Sequence, residues 1–509
     1  MAQHILGVDL GTTAIKAALF DADGREVRSH TEEYSLLTPQ SGYVELLAQT
    51  YVDTFRNAVA QVLDGSSVKA EDVAVLGLSC QGETLLCLDD QGAPLRPVIV
   101  WMDTRAAAEA EELEAHFGRS TIHATTGQVS MDAIWPSSKL LWLKRNEPDV
   151  FERTARFALL KDYIIFRLTG RLVSEDSLLC TTILWDIRTR DYWPEMLDLL
   201  GIDRNQLPDI AHQGEIVALV SDEGARDLGL PVGLAVSVGA LDQACGALGI
   251  GNAVPGIFSE STGSALTSVT VVDELTLDPH AQVPCFPSAL PGQYMLHNFS
   301  TGGMVMRWYR DQFCQPELQI EDLCGVSAYQ LIDREVEQVP PGADGLVVLP
   351  HLQGSGPPDL DNYAKGLIFG LSLAHTKQHL SRALMEGVTM VLRRMIDATE
   401  KLGVEVGEIL SLSGGSKSAA WCQIKADATQ LPVHTLGAAE SAACRGAALI
   451  AAESTGAITS AASRAREGVV FEHTYTPRQE NEAVYQALFE KYCELQALVA
   501  PFARKAADG

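Results

Sequence analysis

Residues 5–20, ILGVDLGTTAIKAALF, carry a lone acid, Asp9, out of one apolar run, through a Gly-Thr-Thr turn and into a second apolar run. After the turn Ile15, Ala17 and Leu19 alternate with Lys16, Ala18 and Phe20, the period of a strand. The stretch therefore reads as a β-hairpin with a carboxylate and two hydroxyls at its tip. DADG at 21–24 is a second turn signal, and REVRSHTEEY after it predicts a third strand. Between 46 and 63 the period changes. Val52, Phe55, Val59 and Val62 recur at three and four, which predicts an amphipathic helix, and VAVLGLS (73–79) returns to a buried strand. Three strands, a helix and another strand predict a mixed sheet covered by helices.

The hairpin phrase recurs in the second half. GIFSESTGSALTSVTV (256–271) again sets a small, hydroxyl-rich turn between two alternating runs. Two such hairpins predict two related lobes facing each other across a cleft, divided here as 1–250 and 251–509. A chain of 509 residues is also too long for one hydrophobic core. Further along, Leu380, Leu384, Val388, Val391 and Met395 predict a long helix. EILSLSGGSKSAAWCQIKADATQLPV reads as a strand, a Gly-Gly turn and a helix starting near Ser416. Val484, Leu488, Tyr492 and Leu495 mark a terminal helix.

The 38 basic and 66 acidic residues leave a net charge of −28, a field that repels nucleic acid and anionic lipid. The ten cysteines form no CxxC pair and no zinc-ligand spacing, the pattern of reduced thiols in a cytosolic protein. Asp9 interrupts the first apolar run and no basic n-region precedes it, so a signal peptide is not expected; no uncharged stretch is long enough to cross a bilayer. Neither GxxxxGK[ST] nor GxGxxG occurs, so any nucleotide site uses another grammar.

Asp9 suits the metal of a bound polyphosphate, while Thr12, Thr13 and Lys16 suit its oxygens. The Thr262-Gly263-Ser264 tip offers a second grip on the same phosphates, and the Gly414-Gly415-Ser416 turn lets backbone approach a nucleotide closely. Asp242 ends the strand in LAVSVGALDQACGALGIG (234–251). It reads either as the acceptor of a substrate hydroxyl proton or as a helix N-cap. Gln81 and Glu83, like Asp103 and Arg105, follow apolar strands, where side chains project into a crevice and meet the hydroxyls of a small ligand. Trp101 would wall a carbon chain; an Asp–Arg surface pair beside a core tryptophan is the plainer alternative.

These pieces, in this order and across nearly the whole chain, resemble the FGGY carbohydrate kinases. The resemblance rests on the Asp-x-Gly-Thr-Thr hairpin, Trp101-x-Asp103-x-Arg105, Asp242 between strand and helix, the second hairpin, GGSKSAAWCQIKAD, LLKDYIIFRLTGRL and AKGLIFGLSLAHT. It implies two actin-like, ribonuclease-H-like α/β lobes, each a mixed five-stranded sheet with flanking helices, and Mg-ATP in the cleft between them. It further implies Asp9 near the metal; Thr12, Thr13, Lys16, Thr262 and Gly263 near the phosphates; Gly414, Gly415, Ser416, Gln423 and Asp427 at the adenosine; and Asp242 as catalytic base. Trp101, Asp103 and Arg105 match substrate-wall positions, and a homodimer is expected. Within the family the chain is most similar to xylulokinases, which implies phosphorylation of a ketopentose such as xylulose. Two departures stand out: Gln81-Gly82-Glu83-Thr84 replaces a Gln-Met-His-Gly stretch, and GSGPPD stands at 354–359. The first looks like tetritol kinases, and GGMVMRWYRDQFC (302–314) is similar to autoinducer-2 kinases, so a tetritol, pentitol or autoinducer-2-like substrate is the alternative. An actin-like nucleotide switch and a sugar-binding relative without turnover are the readings from outside the kinase class.

Overall fold

The computed structural model describes residues 4–437 and 439–507. Two compact units share the chain. The first gathers 1–253, 272–295 and 438–469, and the second gathers 254–271, 296–437 and 470–509. The segment 438–469, which lies in the second half of the sequence, thus packs with the first unit.

In the first unit six strands form one sheet: β1 (His4–Leu10), β2 (Ala14–Asp21), β3 (Glu26–Glu33), β4 (Val73–Cys80), β5 (Ile216–Leu219) and β6 (Ala235–Leu241). Their spatial order is β3-β2-β1-β4-β6-β5. The first three run antiparallel, β1 lies parallel to β4 and β4 to β6, and β5 closes the edge antiparallel. The second unit repeats the plan with β7 (Ile257–Thr262), β8 (Ala265–Val272), β9 (Tyr294–Thr301), β10 (Glu408–Leu412), β11 (Val433–Leu436) and β12 (Phe471–Tyr475). Its inner order, β9-β8-β7-β10-β11, repeats β3-β2-β1-β4-β6, with β7 parallel to β10, β10 to β11, and β12 antiparallel beyond β11. The outer strand precedes its neighbour in the chain in the first sheet and follows it in the second, and Cys285–Pro287 adds a seventh strand beside β9. Where five strands each were expected, the first sheet holds six and the second seven. Two outer strands were not visible because Ile216–Leu219 is short, with one buried position, and Phe471–Tyr475 is short and almost wholly exposed.

The helices of the two units include α1 (Ala48–Asp64), α2 (Pro136–Asn146), α3 (Leu160–Thr169), α4 (Asp242–Gly249), α5 (Lys377–Lys401), α6 (Ala419–Thr429), α7 (Ala442–Ser454) and α8 (Glu482–Ala507). Alternation along β2 fails over Ala17–Phe20, where every residue is buried, because α1 and α7 both pack against it. Such a doubly covered strand reads as a continuous apolar run. The helix expected near Ser416 begins later: Gly414–Lys417 form a 3-10 turn, and Ser418 then caps α6, its Oγ accepting from Trp421 N–H at 3.1 Å. A smaller sheet of the first unit, with Glu45–Leu46, Val98–Ile99, Leu85–Leu88 and Arg156–Leu159 side by side, carries the Gln81 and Trp101 segments. No helix among the described residues is long and apolar enough to cross a membrane.

The backbone of α7 lies directly on β1 and β4. Gly7 and Gly77 are paired across the two strands, and a Cβ on them would stand 2.1 Å from the Cys444 carbonyl oxygen and 2.2 Å from that of Ala447. Only hydrogen fits there. Gly77→Ala is therefore expected to lower stability by about 1–3 kcal/mol or more in urea unfolding, the cost of overpacking a dense core.

Candidate active site

Parallel pairing of β1 and β4 sets Asp9 directly opposite Ser79, whose Oγ donates to Asp9 Oδ1 at 2.7 Å. On the other side of β4, the β6 ladder is interrupted between Ser237 and Ala240. Gly239 occupies the break with φ +69°, and a Cβ there would meet the Leu78 carbonyl oxygen at 1.5 Å. The bulge re-aims the strand end, as bulges do. Pairing then resumes at Ala240 and Leu241, and Asp242 emerges as the first residue of α4. Leu241 holds the N-cap position; Asp242 Oδ1 instead accepts from the adjacent Gln243 N–H at 2.6 Å.

Burial raises the pKa of Asp9, against the pull of the Ser79 hydrogen bond and the Lys16 charge. Asp242 is pushed up to about 7, chiefly by burial and then by the Asp9 charge; the Gln243 bonds and Lys161 act in the opposite direction. Two neighbouring carboxylates thus hold protons more tightly than water would allow, and one sits in the range of a base working near neutrality.

Beneath Asp242 runs a fully buried network. Lys161 Nζ, from α3, donates to Glu175 Oε1 at 2.6 Å, and neither side chain is exposed. Glu175 Oε2 accepts from the Ser177 N–H and hydroxyl at 2.7 and 2.8 Å. Ser177 Oγ accepts in turn from Leu241 N–H at 2.9 Å, one residue before Asp242. A buried ion pair whose carboxylate also accepts from neighbouring N–H and O–H groups fixes geometry. Here it fixes the end of β6.

The expected substrate-wall residues gather in the same unit. Trp101 is half-buried, and its indole N–H donates to Thr12 Oγ1 at 2.8 Å. Asp103 is fully buried. It accepts Arg105 Nε and Nη2 at 2.8 and 2.7 Å, Arg105 N–H at 3.0 Å and Val44 N–H at 2.6 Å. Arg105 also donates to Glu45 at 2.7 Å and stacks 3.8 Å above the Tyr43 ring. Gln81 Nε2 donates to the Gly11 carbonyl at 3.1 Å. Glu83 holds a left-handed φ of +53°, and burial raises its pKa while Lys139 opposes the rise. Lys139, from α2, is fully buried; its Nζ donates to the carbonyls of Glu83, Val100 and Trp101 at 3.3, 3.1 and 3.0 Å. Three carbonyl acceptors match the three protons of an ammonium group, although burial drives the lysine pKa down. Of the remaining hairpin residues, Thr13 is exposed and Lys16 Nζ donates to the Glu440 carbonyl at 2.8 Å.

The second unit shows the same strand logic with a different outcome. β7 and β10 pair Glu260 with Ser411, the counterparts of Asp9 and Ser79, and the Ser411 hydroxyl donates to Glu260. Here, however, Lys425 from α6 donates to Glu260 at 2.6 Å and to Thr262 Oγ1 at 3.0 Å, and the Thr262 hydroxyl donates to Glu260 at 2.6 Å. Above this knot lies a cavity of about 490 Å³, lined by Thr262, Gly263, Gly414, Gly415, Tyr329 and Trp421 among others. Asp333 also lines it, its pKa raised to about 6 by burial against a 2.7 Å bond from Ser418. Ser416 and Gln423 do not line the cavity. Ser416 Oγ donates to the Ser413 carbonyl at 2.8 Å. Gln423 donates to Asp427 at 2.7 Å and to the Thr476 carbonyl at 2.9 Å, while Asp427 receives Asn481 at 2.7 Å, clasping the segment that leads into α8.

Lys139, Lys161, Glu175, Glu260 and Lys425 were missed in the sequence. Their signal was present: charged residues inside otherwise apolar runs, as in ALLKDYII and WCQIKADA. A lysine in such a run is almost never buried without a partner.

Twin ribonuclease-H-like sheets, an acid pair at the strand ends of one and a glycine-walled cavity in the other are the marks of a sugar-phosphorylating enzyme. The family models agree: the N-terminal domain of the FGGY family of carbohydrate kinases matches residues 4–249 and its C-terminal domain residues 264–454. The chain belongs to this family and is a carbohydrate kinase. It is 28% identical to a xylulose kinase of Bacillus subtilis over 491 residues, 96% of each chain. It is also 28% identical to an autoinducer-2 kinase of Klebsiella pneumoniae over 503 residues, 96% of this chain and 93% of the other. Its structure superposes on a gluconate kinase from Lactobacillus acidophilus with a TM-score of 0.91 at 27% identity, covering 99% of both chains.

With Asp242 pushed up to about 7, the kcat/KM profile would rise with pH along an acid limb centred near 7 if this carboxylate takes the substrate proton. Raising this pKa from 3.8 also means that folding favours the protonated form, so its ionisation costs stability above pH 7 and nothing well below pH 4. Asp242→Asn is therefore expected to raise the melting temperature at pH 8, with the gain shrinking toward pH 4 in scanning calorimetry.

Proposed function

We propose that this kinase transfers the γ-phosphoryl group of ATP, with Mg²⁺, to a hydroxyl of a small sugar, a ketopentose such as xylulose, in the cytoplasm. The observation that carries the reading is Asp242, a carboxylate at a buried strand end whose position is pinned one residue away by Ser177 and whose pKa lies near 7. A group so placed accepts the proton of an attacking hydroxyl.

The donor sets fit the cofactors. Asp9 is a hard oxygen ligand with one oxygen engaged by Ser79, and the hairpin tip beside it presents Thr12 and Thr13. In the second unit, Gly263, Gly414 and Gly415 give the cavity a wall of backbone, suited to a nucleotide. Bound Mg-ATP supplies the phosphoryl group and the charge that offsets it. The protein's own residues supply position: Asp103 locks Arg105, Arg105 stacks on Tyr43, and Lys139 holds the carbonyls on either side of the sugar wall.

Relatives named as xylulose kinases support a ketopentose. An acidic sugar fits poorly, because Asp9, Glu83 and Asp242 are all carboxyl groups while Arg105 and Lys139 are committed to internal partners. A second reading, a four- or five-carbon polyol or an autoinducer-2-like substrate, draws on Glu83. Its raised pKa lets a carboxylic acid donate as well as accept, which suits a chain of hydroxyls.

A coupled ADP-release assay with Mg-ATP tests this. D-xylulose is expected to stimulate turnover and gluconate to leave it unchanged. Stimulation by erythritol or an autoinducer-2 precursor alone selects the second reading, and silence with ATP still bound points to a switch or a sugar-binding protein without turnover. Asp242→Asn is expected to cut turnover by about 10²–10⁴-fold with nucleotide affinity retained, and unchanged turnover would remove Asp242 from its role.

A further inference from the structure

We propose that the indole N–H of Trp101 is a positioning group for phosphoryl transfer, setting the direction in which the Thr12 hydroxyl donates. The inference rests on the kinase reading above and deepens it. Trp101 Nε1 lies 2.8 Å from Thr12 Oγ1. An indole nitrogen only donates, so the threonine oxygen must accept, and its single proton is left for another acceptor. For a residue at the tip of the phosphate hairpin, that acceptor is a phosphoryl oxygen.

The rest of the tip is held in a way that makes this bond count. Residues 11–13 lie between β1 and β2, outside the ladder of those two strands, so other groups take over the anchoring. The Gly11 carbonyl accepts from Gln81 Nε2 at 3.1 Å and from the Tyr34 hydroxyl at 2.5 Å, and the Thr13 carbonyl accepts from Tyr34 N–H at 2.9 Å. Two of these tethers, Gln81 and Trp101, are residues placed at the sugar. Trp101 is itself fixed, its N–H on Thr84 Oγ1 at 3.2 Å and its carbonyl under Lys139 at 3.0 Å. A sugar packed on the indole narrows the ring's motion, and the hydrogen bond hands that restriction to Thr12. The sugar wall and the phosphate hairpin are one hydrogen-bonded unit, so acceptor binding prepares the phosphate clamp.

The experiment is a double-mutant cycle on the whole enzyme with its best acceptor and Mg-ATP. Trp101→Phe keeps an aromatic wall and removes the N–H. The expected result is a 10- to 100-fold fall in kcat with the sugar KM changed by less than about 3-fold. Thr12→Val should fall by a similar factor, the double variant Trp101→Phe/Thr12→Val should be no slower than Thr12→Val alone, and Thr12→Ser should retain most of the rate while remaining sensitive to Trp101→Phe. Losses that multiply in the double variant, or a Trp101→Phe loss confined to KM, would overturn the proposal. If Trp101→Phe does not fold, as judged by its melting curve, Trp101→Leu is carried through the same cycle. Asp242→Asn run alongside separates the two levels: full transfer in that variant removes Asp242 as the proton acceptor, whereas its loss together with independent Trp101 and Thr12 effects sinks only this link.

Discussion

The register of one parallel strand pair governs the chemistry of each unit. In the first, β1 against β4 brings Asp9 beside Ser79; in the second, β7 against β10 brings Glu260 beside Ser411. A slip of one residue would turn either acid to the opposite face of its sheet. The fate of each acid then depends on whether a lysine lies under it. Lys425 consumes Glu260 in a closed ion pair that braces Thr262, whereas Lys161 is spent on Glu175 and leaves Asp9 and Asp242 to face each other's charge. The same scaffold thus holds a closed ion pair in one unit and carboxyls without a lysine partner in the other.

The acid set is sustained against unfavourable electrostatics. Desolvation raises Asp9, Glu83 and Asp242 together, in a chain already carrying −28. Two buried lysines offset this from below, Lys161 paired with Glu175 and Lys139 bonded to three carbonyls, which keeps their burial tolerable. Rigid groups around acids whose pKa values burial raises suit the proton-accepting role proposed for Asp242.

Much of this was legible beforehand because it is local. The hairpin tips, the period changes, the strand-end acids and the glycine turns follow from neighbouring residues, and together they carried the family resemblance. Other features were not local. The edge strands lacked a buried alternation, and β2 lost its alternation because α7, more than 400 positions later in the chain, covers its second face. Gln423 and Asp427 sit on the helix expected to meet the nucleotide, yet their hydrogen bonds turn toward the segment before α8.

By itself the sequence determined which groups are available and roughly where each leaves its strand: Asp9 at a hairpin tip, Asp242 between strand and helix, Trp101 and Arg105 after an apolar run. Tertiary structure alone decided their partners. Asp103 and Arg105 close on Glu45 and Tyr43, Lys139 spans Glu83 and Trp101, and Trp101 reaches Thr12. The physical reason is that a side chain's period and polarity are set by its neighbours in sequence, whereas its hydrogen bonds and its pKa are set by whatever strand register, a bulge at Gly239 and a helix resting on Gly7 and Gly77 bring within about 3 Å.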